Sequence, residues 1–267
     1  MRSSRRPWRT RPDYRAGWRD AMAVDRVRLA GALARIVASP AEAAELPEQL
    51  CDACIGALPV DGVGLSLMTR DPAGGRMLLG ASDDVGARIE ELQFRLGEGP
   101  CVTAFGTARP VLVPDVQADE ARARWPMFTR EAETAGAAAL FAFPLLVGVI
   151  GIGVLDCHRA RTGPLAETAE ALVVADAVTT VLLNFKIRSA EGSDGEIDLF
   201  SMSTRAHALV YQAVGSVAGR LGISTEDALA RLRAHAFSHS RSLEAVADDV
   251  LTGRLQIPTE KGQSEGE

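Results

Sequence analysis

The chain has 267 residues, a formal net charge of −6, an apolar fraction of 47% and only 5% aromatic residues. That length suits one or two domains, and with so few rings the cores must be built from Ala, Val and Leu. No run approaches the ~18 apolar residues of a membrane-spanning helix, because the most apolar stretch, 137–155, is broken by Pro144, Gly148, Gly151 and Gly153.

Residues 1–23 hold seven Arg and two Asp, whereas 24–190 hold 15 basic and 21 acidic residues. The stretch Arg5-Arg-Pro-Trp-Arg-Thr-Arg-Pro12 is not followed by the apolar segment of a secretory signal. It reads as a disordered tail, or as residues ahead of a true start at Met22; a basic arm on nucleic acid is the alternative. Three-to-four spacing predicts helices through Val27, Ala30, Leu33 and Val37 and through Leu46, Leu50 and Leu58. Cys51-x-x-Cys54 lies within the second stripe with no second pair after it, and so reads as buried small apolar side chains rather than a zinc or redox motif. With only Cys101 and Cys157 besides, the chain suits a reduced, cytoplasmic protein.

Strands are predicted over 60–68 and 76–82, a hairpin closed by Asp71-Pro-Ala-Gly-Gly75. A short strand, 111–113, ends at Pro114-Asp115, and 140–147 with 150–157 form a second hairpin turned at Gly148. One long helix spans 165–187 with Leu172, Ala175, Val178, Leu182 and Phe185 on a face, and 189–196 is a polar, acidic linker. A helix-flanked antiparallel sheet follows, an α+β layout.

The pieces Gly97-Glu-Gly-Pro-Cys101, Pro110-Val-Leu-Val-Pro-Asp115, Arg124-Trp-Pro126, Phe141-Ala-Phe-Pro-Leu145 and Gly151-Ile-Gly-Val-Leu-Asp156 stand in an order that resembles the GAF domain, a PAS-like small-molecule sensor fold. The resemblance covers about 40–188 and assigns 24–188 to the sensor, with 1–23 as a tail. It implies a ligand pocket over one sheet face, lined by Gly97, Gly99, Cys101, Trp125, Phe141 and Phe143. Gly97-x-Gly-Pro places a bend and a helix start with Pro100 at its first position, where the helix N-terminus either receives an anion or follows a plain turn. The rings of Trp125, Phe128, Phe141 and Phe143 line a pocket or fill the core. Cys101 lacks the following His of a tetrapyrrole attachment site, and His158 follows a strand end and is expected to face solvent, so neither a cofactor nor a metal is expected.

Beyond the linker, Val210, Val214, Val217 and Leu221 make a helical stripe stopped by Gly222. Ser224 with Asp227 forms a capping box for a second helix through Leu229 and Leu232, and Leu243, Val246 and Val250 mark a third. Gly215 and Gly219, costly within a helix at about 1 kcal/mol each, suggest a close approach to the first. Gln212-Ala213-x-Gly215, Arg220-Leu-Gly-Ile-Ser224, Asp227-Ala-x-x-x-Leu-Arg233 and Arg241-x-Leu-x-x-Val-Ala247 together resemble the ANTAR domain, the three-helix RNA-binding module of bacterial antiterminators. Val214 stands where many members carry Lys. The match assigns 199–255 to this unit, with 189–198 as linker and 256–267 as a disordered tail.

Residues 199–255 hold six Arg and five acids, so charge by itself does not mark a nucleic-acid surface. The resemblance implies RNA binding through Gln212, Ala213, Gly215, Arg233, His235 and Arg241, with Tyr211 as a stacking ring and Phe237 as a stacking or core residue. No spacing suggests a catalytic triad, a P-loop or a zinc-hydrolase helix, so no enzyme is expected. The sequence reads as a cytoplasmic, homodimeric antitermination regulator, paired through the stripes of 172–185 and 199–221, whose sensor takes an unidentified small molecule or redox signal and whose output binds RNA stem-loops. The competing reading is a small-molecule-binding protein whose C-terminal helices only dimerise it.

Overall fold

The computed structural model describes residue 31 and residues 45–69, 75–166, 168–191 and 205–258. The Arg-rich stretch, the first expected helix apart from residue 31, residues 71–74 of the hairpin turn, linker residues 192–198 and tail residues 259–267 lie outside the described residues.

Five antiparallel strands carry the sensor half: β1 (Gly62–Met68), β2 (Arg76–Ala81), β3 (Val111–Val113), β4 (Ala139–Val147) and β5 (Ile150–Arg159). They are ordered β2-β1-β5-β4-β3. Alternation along β4 divides its side chains between two layers, as period-2 geometry demands. Ala139, Phe141, Phe143 and Leu145 face one layer, whereas Leu140 and Ala142 face the other. Pro144 is tolerated because β3 pairs only with Leu140 to Ala142, leaving β4 an open edge beyond that point.

The first layer is covered by α1 (Leu46–Ala57) and α6 (Thr168–Glu191). Leu46, Leu50, Cys51 and Cys54 of α1 pack there with Ala171, Val174, Val178 and Leu182 of α6 and with Cys157 of β5. All four cysteines are free and buried. Residues Thr168–Phe185 of α6 are long and apolar enough to cross a membrane by length and composition, more than the run count predicted. Much of that apolar surface is spent on the sheet. Of the expected dimer stripe, Ala175, Val178 and Leu182 are buried inside the domain, and Leu172 and its neighbour Val173 are exposed.

The second layer consists of α2 (Asp84–Leu96), α3 (Pro100–Thr107), α4 (Asp119–Arg124) and α5 (Pro126–Ala135). Helix α2 has its N-terminus capped by Asp83, which accepts from the Gly86 N–H at 2.8 Å. Glu98 caps α5 from outside: its Oε1 accepts from the N–H groups of Met127 and Phe128 at 2.8 and 2.7 Å, satisfying two donors that the helix itself leaves open.

The C-terminal unit is α7 (Arg205–Leu221), α8 (Thr225–Ser238) and α9 (Leu243–Leu251). Gly222, at φ +63°, ends α7 in the left-handed region. Ser224 accepts from the Asp227 N–H at 3.0 Å and Ser242 from that of Ala245 at 3.2 Å, so both following helices are capped by side chains. Val210, Val214, Val217, Leu232, Leu243 and Val246 form the core, joined by Phe94 from α2. Gly215 and Gly219 face open space, so nothing among the described residues approaches α7 there.

Candidate functional site

On the second face of the sheet, where hydrocarbon would be expected, six polar side chains meet. Ser66, Arg76 and Asp156 point there from β1, β2 and β5; Glu90 and Gln93 descend from α2, and Cys101 from the start of α3. All six are buried. Arg76 Nη2 lies 2.5 Å from Glu90 Oε2, which also accepts from the Ser66 hydroxyl. Gln93 donates to Asp156 Oδ2 at 3.3 Å and accepts from the Cys101 N–H at 2.7 Å.

One guanidinium cannot neutralise three acidic groups at this depth, so protons stay on two of them. Burial, reinforced by the charge of Glu90 and a hydrogen bond to it, pushes the Asp156 carboxyl well above the usual carboxylate range. Burial likewise holds the Cys101 thiol well up, against the pull of Arg76. For Glu90 burial works upward too, but the charge of Arg76 and the hydrogen bonds from Asp156, Ser66 and Arg76 outweigh it, and Glu90 ends below its ordinary value. Donor atoms of Glu90, Cys101 and Asp156 lie within 4.8 Å of one another, the only such set among the described residues.

The raised carboxyl has a pH consequence. Asp156's contribution to stability is fully present below the ordinary carboxylate pKa, where both states are protonated, and is lost as pH rises through the folded value. Glu90 runs the opposite way, contributing above its ordinary value and losing that contribution as pH falls. Asp156→Asn is therefore expected to flatten the decline in stability from pH 5 to 8, as read by urea midpoints at several pH values. An unchanged slope would mean that Asp156 is ionised in the fold.

The expected sensor pocket divides between layers. Gly97, Gly99, Cys101 and Trp125 lie on the polar-cluster side, whereas Phe141 and Phe143 are fully buried on the other face against α1 and α6. They do not enclose one pocket. The two glycines have separate tasks. Gly97, at φ +69°, ends α2; Gly99, at φ +132°, leaves room for Gln93 Oε1, which would lie 2.7 Å from an added Cβ. Gln93 therefore occupies the N-terminus of α3, the place where the sequence left open either an anion or a plain turn. Trp125 donates to Thr103 Oγ1 at 3.1 Å and lines an open groove of about 360 Å³ along the edge strand β3. His158 is buried, not solvent-facing, with Nε2 3.0 Å from Asp83 Oδ1.

The C-terminal candidates are spread as well. Ala213 is fully buried, so its side chain presents nothing to a partner, whereas Gln212 and Gly215 are exposed. The imidazole of His235 stacks on His239 with ring centroids 4.0 Å apart. Partial burial, followed by His239 and Arg241, lowers its pKa. Arg241 is exposed and pairs with Asp249 Oδ2 at 2.6 Å. Phe237, expected in the core or stacking, is 61% exposed.

Arg233 goes elsewhere. Its Nη2 donates to the Phe94 carbonyl at 2.6 Å, at the C-terminal end of α2 where a helix leaves its carbonyls open. Its guanidinium carbon lies 5.8 Å from the Phe94 ring centroid, and burial drops its pKa to about 10. Tyr211 makes the second attachment. Its hydroxyl accepts from the Arg76 N–H and donates to the Arg76 carbonyl at 2.8 Å, closing the outer edge of β2. Arg76, Glu90, Gln93, Phe94 and the docking role of Tyr211 escaped the sequence reading. The available signal was Asp83 as a cap followed by the stripe Val85, Ile89, Leu92, Leu96, which marks α2.

Comparison with known families places residues 41–178 in the GAF domain family and 202–251 in the ANTAR domain family. No curated protein is matched by the chain. Among solved structures it is similar to the GAF domain of a phosphoenolpyruvate-protein phosphotransferase from Coxiella burnetii, at 17% identity and a TM-score of 0.46 over 62% of this chain and 99% of that one. It is also similar to the free methionine-R-sulfoxide reductase from Neisseria meningitidis in complex with its substrate, at 15% identity and a TM-score of 0.41 over 61% and 90%. With a five-stranded antiparallel sheet between helical layers and a three-helix unit behind it, the chain belongs to the GAF family and carries a C-terminal ANTAR domain.

Proposed function

We propose that the protein is a cytoplasmic, signal-responsive transcription antitermination regulator: a GAF sensor spanning 24–188 and an ANTAR output, 199–255, that binds RNA stem-loops as a homodimer. The family pairing carries this reading. Supporting it, Arg241, His235 and Phe237 lie together at the exposed junction of α8 and α9, offering a charge and rings to unpaired bases. Phe237 and Arg241 also border an open groove of about 460 Å³ shared with Arg95. The sensor's input is an unidentified small molecule or redox signal, and the polar cluster is the part of it whose charge state such an input would change. For the pairing of protomers, the exposed Leu172 and Val173 of α6 are the residues we assign.

The test is binding of dual-hairpin RNA by the purified full chain, with mass measured by light scattering. Retarded RNA at submicromolar protein and a dimer mass are expected. Dimers that ignore every hairpin would favour the reading in which the C-terminal helices serve assembly alone.

A further inference from the structure

The polar cluster and the ANTAR unit meet on two shared pieces of backbone. Strand β2 sends the Arg76 side chain inward to Glu90 and offers the same residue's N–H and C=O outward to Tyr211. Helix α2 sends Glu90 and Gln93 into the cluster and, one residue later, buries Phe94 in the three-helix core. The Phe94 ring meets Tyr211 edge-on at a centroid distance of 6.0 Å. Arg233 closes the joint over Gly97, where a Cβ would stand 2.6 Å from its Nη1. An arginine so placed, with its hydrogen bond made to a GAF carbonyl, is withheld from phosphate.

From this we infer that the docked arrangement is the resting, RNA-excluded state, and that the sensor controls output by releasing Tyr211 and Arg233 from β2 and α2. The inference rests on the RNA-binding reading above. Docking and RNA binding compete for Arg233, so apparent RNA affinity is the intrinsic affinity multiplied by the fraction of molecules undocked. By linkage, RNA that needs Arg233 must also loosen the sensor. Any input that shifts the Arg76–Glu90 pair acts on β2 and α2 together, and hence on both attachments at once.

The experiment compares the full chain with Phe94→Ala and with the milder Tyr211→Phe. Neither change removes an arginine. Three quantities are read: the radius of gyration by small-angle scattering, amide exchange at Arg76 and along α2, and affinity for a dual-hairpin RNA at fixed salt. Both variants are expected to expand, to speed exchange of the Arg76 amide, and to bind RNA more tightly, at least tenfold for Phe94→Ala. Variants that undock yet bind RNA as the wild type does would overturn the masking. Unchanged radius and exchange in the folded Tyr211→Phe and Phe94→Ala proteins would overturn the docking contact itself. If undocked variants bind no hairpin, the RNA reading fails, and the masking inference with it, while radius and exchange still decide whether the contact holds the two units together.

Discussion

Glu90→Ala is expected to destabilise the GAF unit by about 3–5 kcal/mol, the cost of leaving a buried charge without its partner. The guanidinium of Arg76 has Glu90 as its carboxylate partner at 2.5 Å through Nη2, and its buried Nη1 has no hydrogen-bond partner among the described residues. Set against the ~5–15 kcal/mol of a whole domain, that loss is a large share. The value should fall toward the lower end, because Asp156 stands ready to substitute. Burial still favours the protonated Asp156, but without Glu90 the charge and hydrogen bond that add to it are gone, while the attraction of Arg76 remains. The double variant Glu90→Ala/Asp156→Asn should therefore cost more than its parts, a coupling that urea titration of the four proteins in the cycle measures directly. Additivity would mean that Asp156 never takes over the arginine.

Arg241→Ala is expected to weaken dual-hairpin RNA binding ten- to hundredfold, the worth of a charged hydrogen bond. In the free protein the side chain pairs with Asp249, but Arg254 also reaches that carboxylate through Nε at 2.6 Å. Asp249 is thus left paired when Arg241 turns to RNA, and exposed pairs of this kind are weak competitors. The salt dependence of binding should drop by about one counterion if the contact is to phosphate. Arg233→Ala should differ in kind, since it removes an RNA candidate and a docking contact together; its net effect should be smaller than that of Arg241→Ala. Equal losses in the two variants, with equal salt slopes, would place both arginines on RNA and remove the distinction.

The parts of this fold legible in the sequence are those in which pattern and local chemistry agree. Strands β4 and β5 pair as the expected hairpin, Gly148 turns it at φ +62°, Pro100 opens α3, and Ser224 and Gly222 bound their helices. The polar cluster was hidden because Ser66, Arg76, Glu90 and Asp156 each look like ordinary surface residues in their own segments; only tertiary pairing makes them interior. Val214, by contrast, was legible from the stripe it shares with Val210 and Val217: it is 2% exposed and belongs to the three-helix core, so no side chain stands outward there in place of the Lys many members carry. Phe141 and Phe143 are two residues apart in a strand, which puts them on one face together, but spacing cannot say which face will hold the helices that carry Gly97 and Cys101.

The buried cysteines make the unaltered protein its own reporter of opening. Cys51, Cys54 and Cys157 sit between the sheet and the α1/α6 layer, and Cys101 sits beneath the opposite layer. Burial drives the Cys51 thiol up to about 12 and raises the other three as well. Thiolate is the reactive form, so a thiol reagent should find almost nothing to label until a layer lifts. Labelling followed by peptide mass mapping would time the two faces of one sheet separately, and the order in which they surrender their sulfurs would name the less stable side.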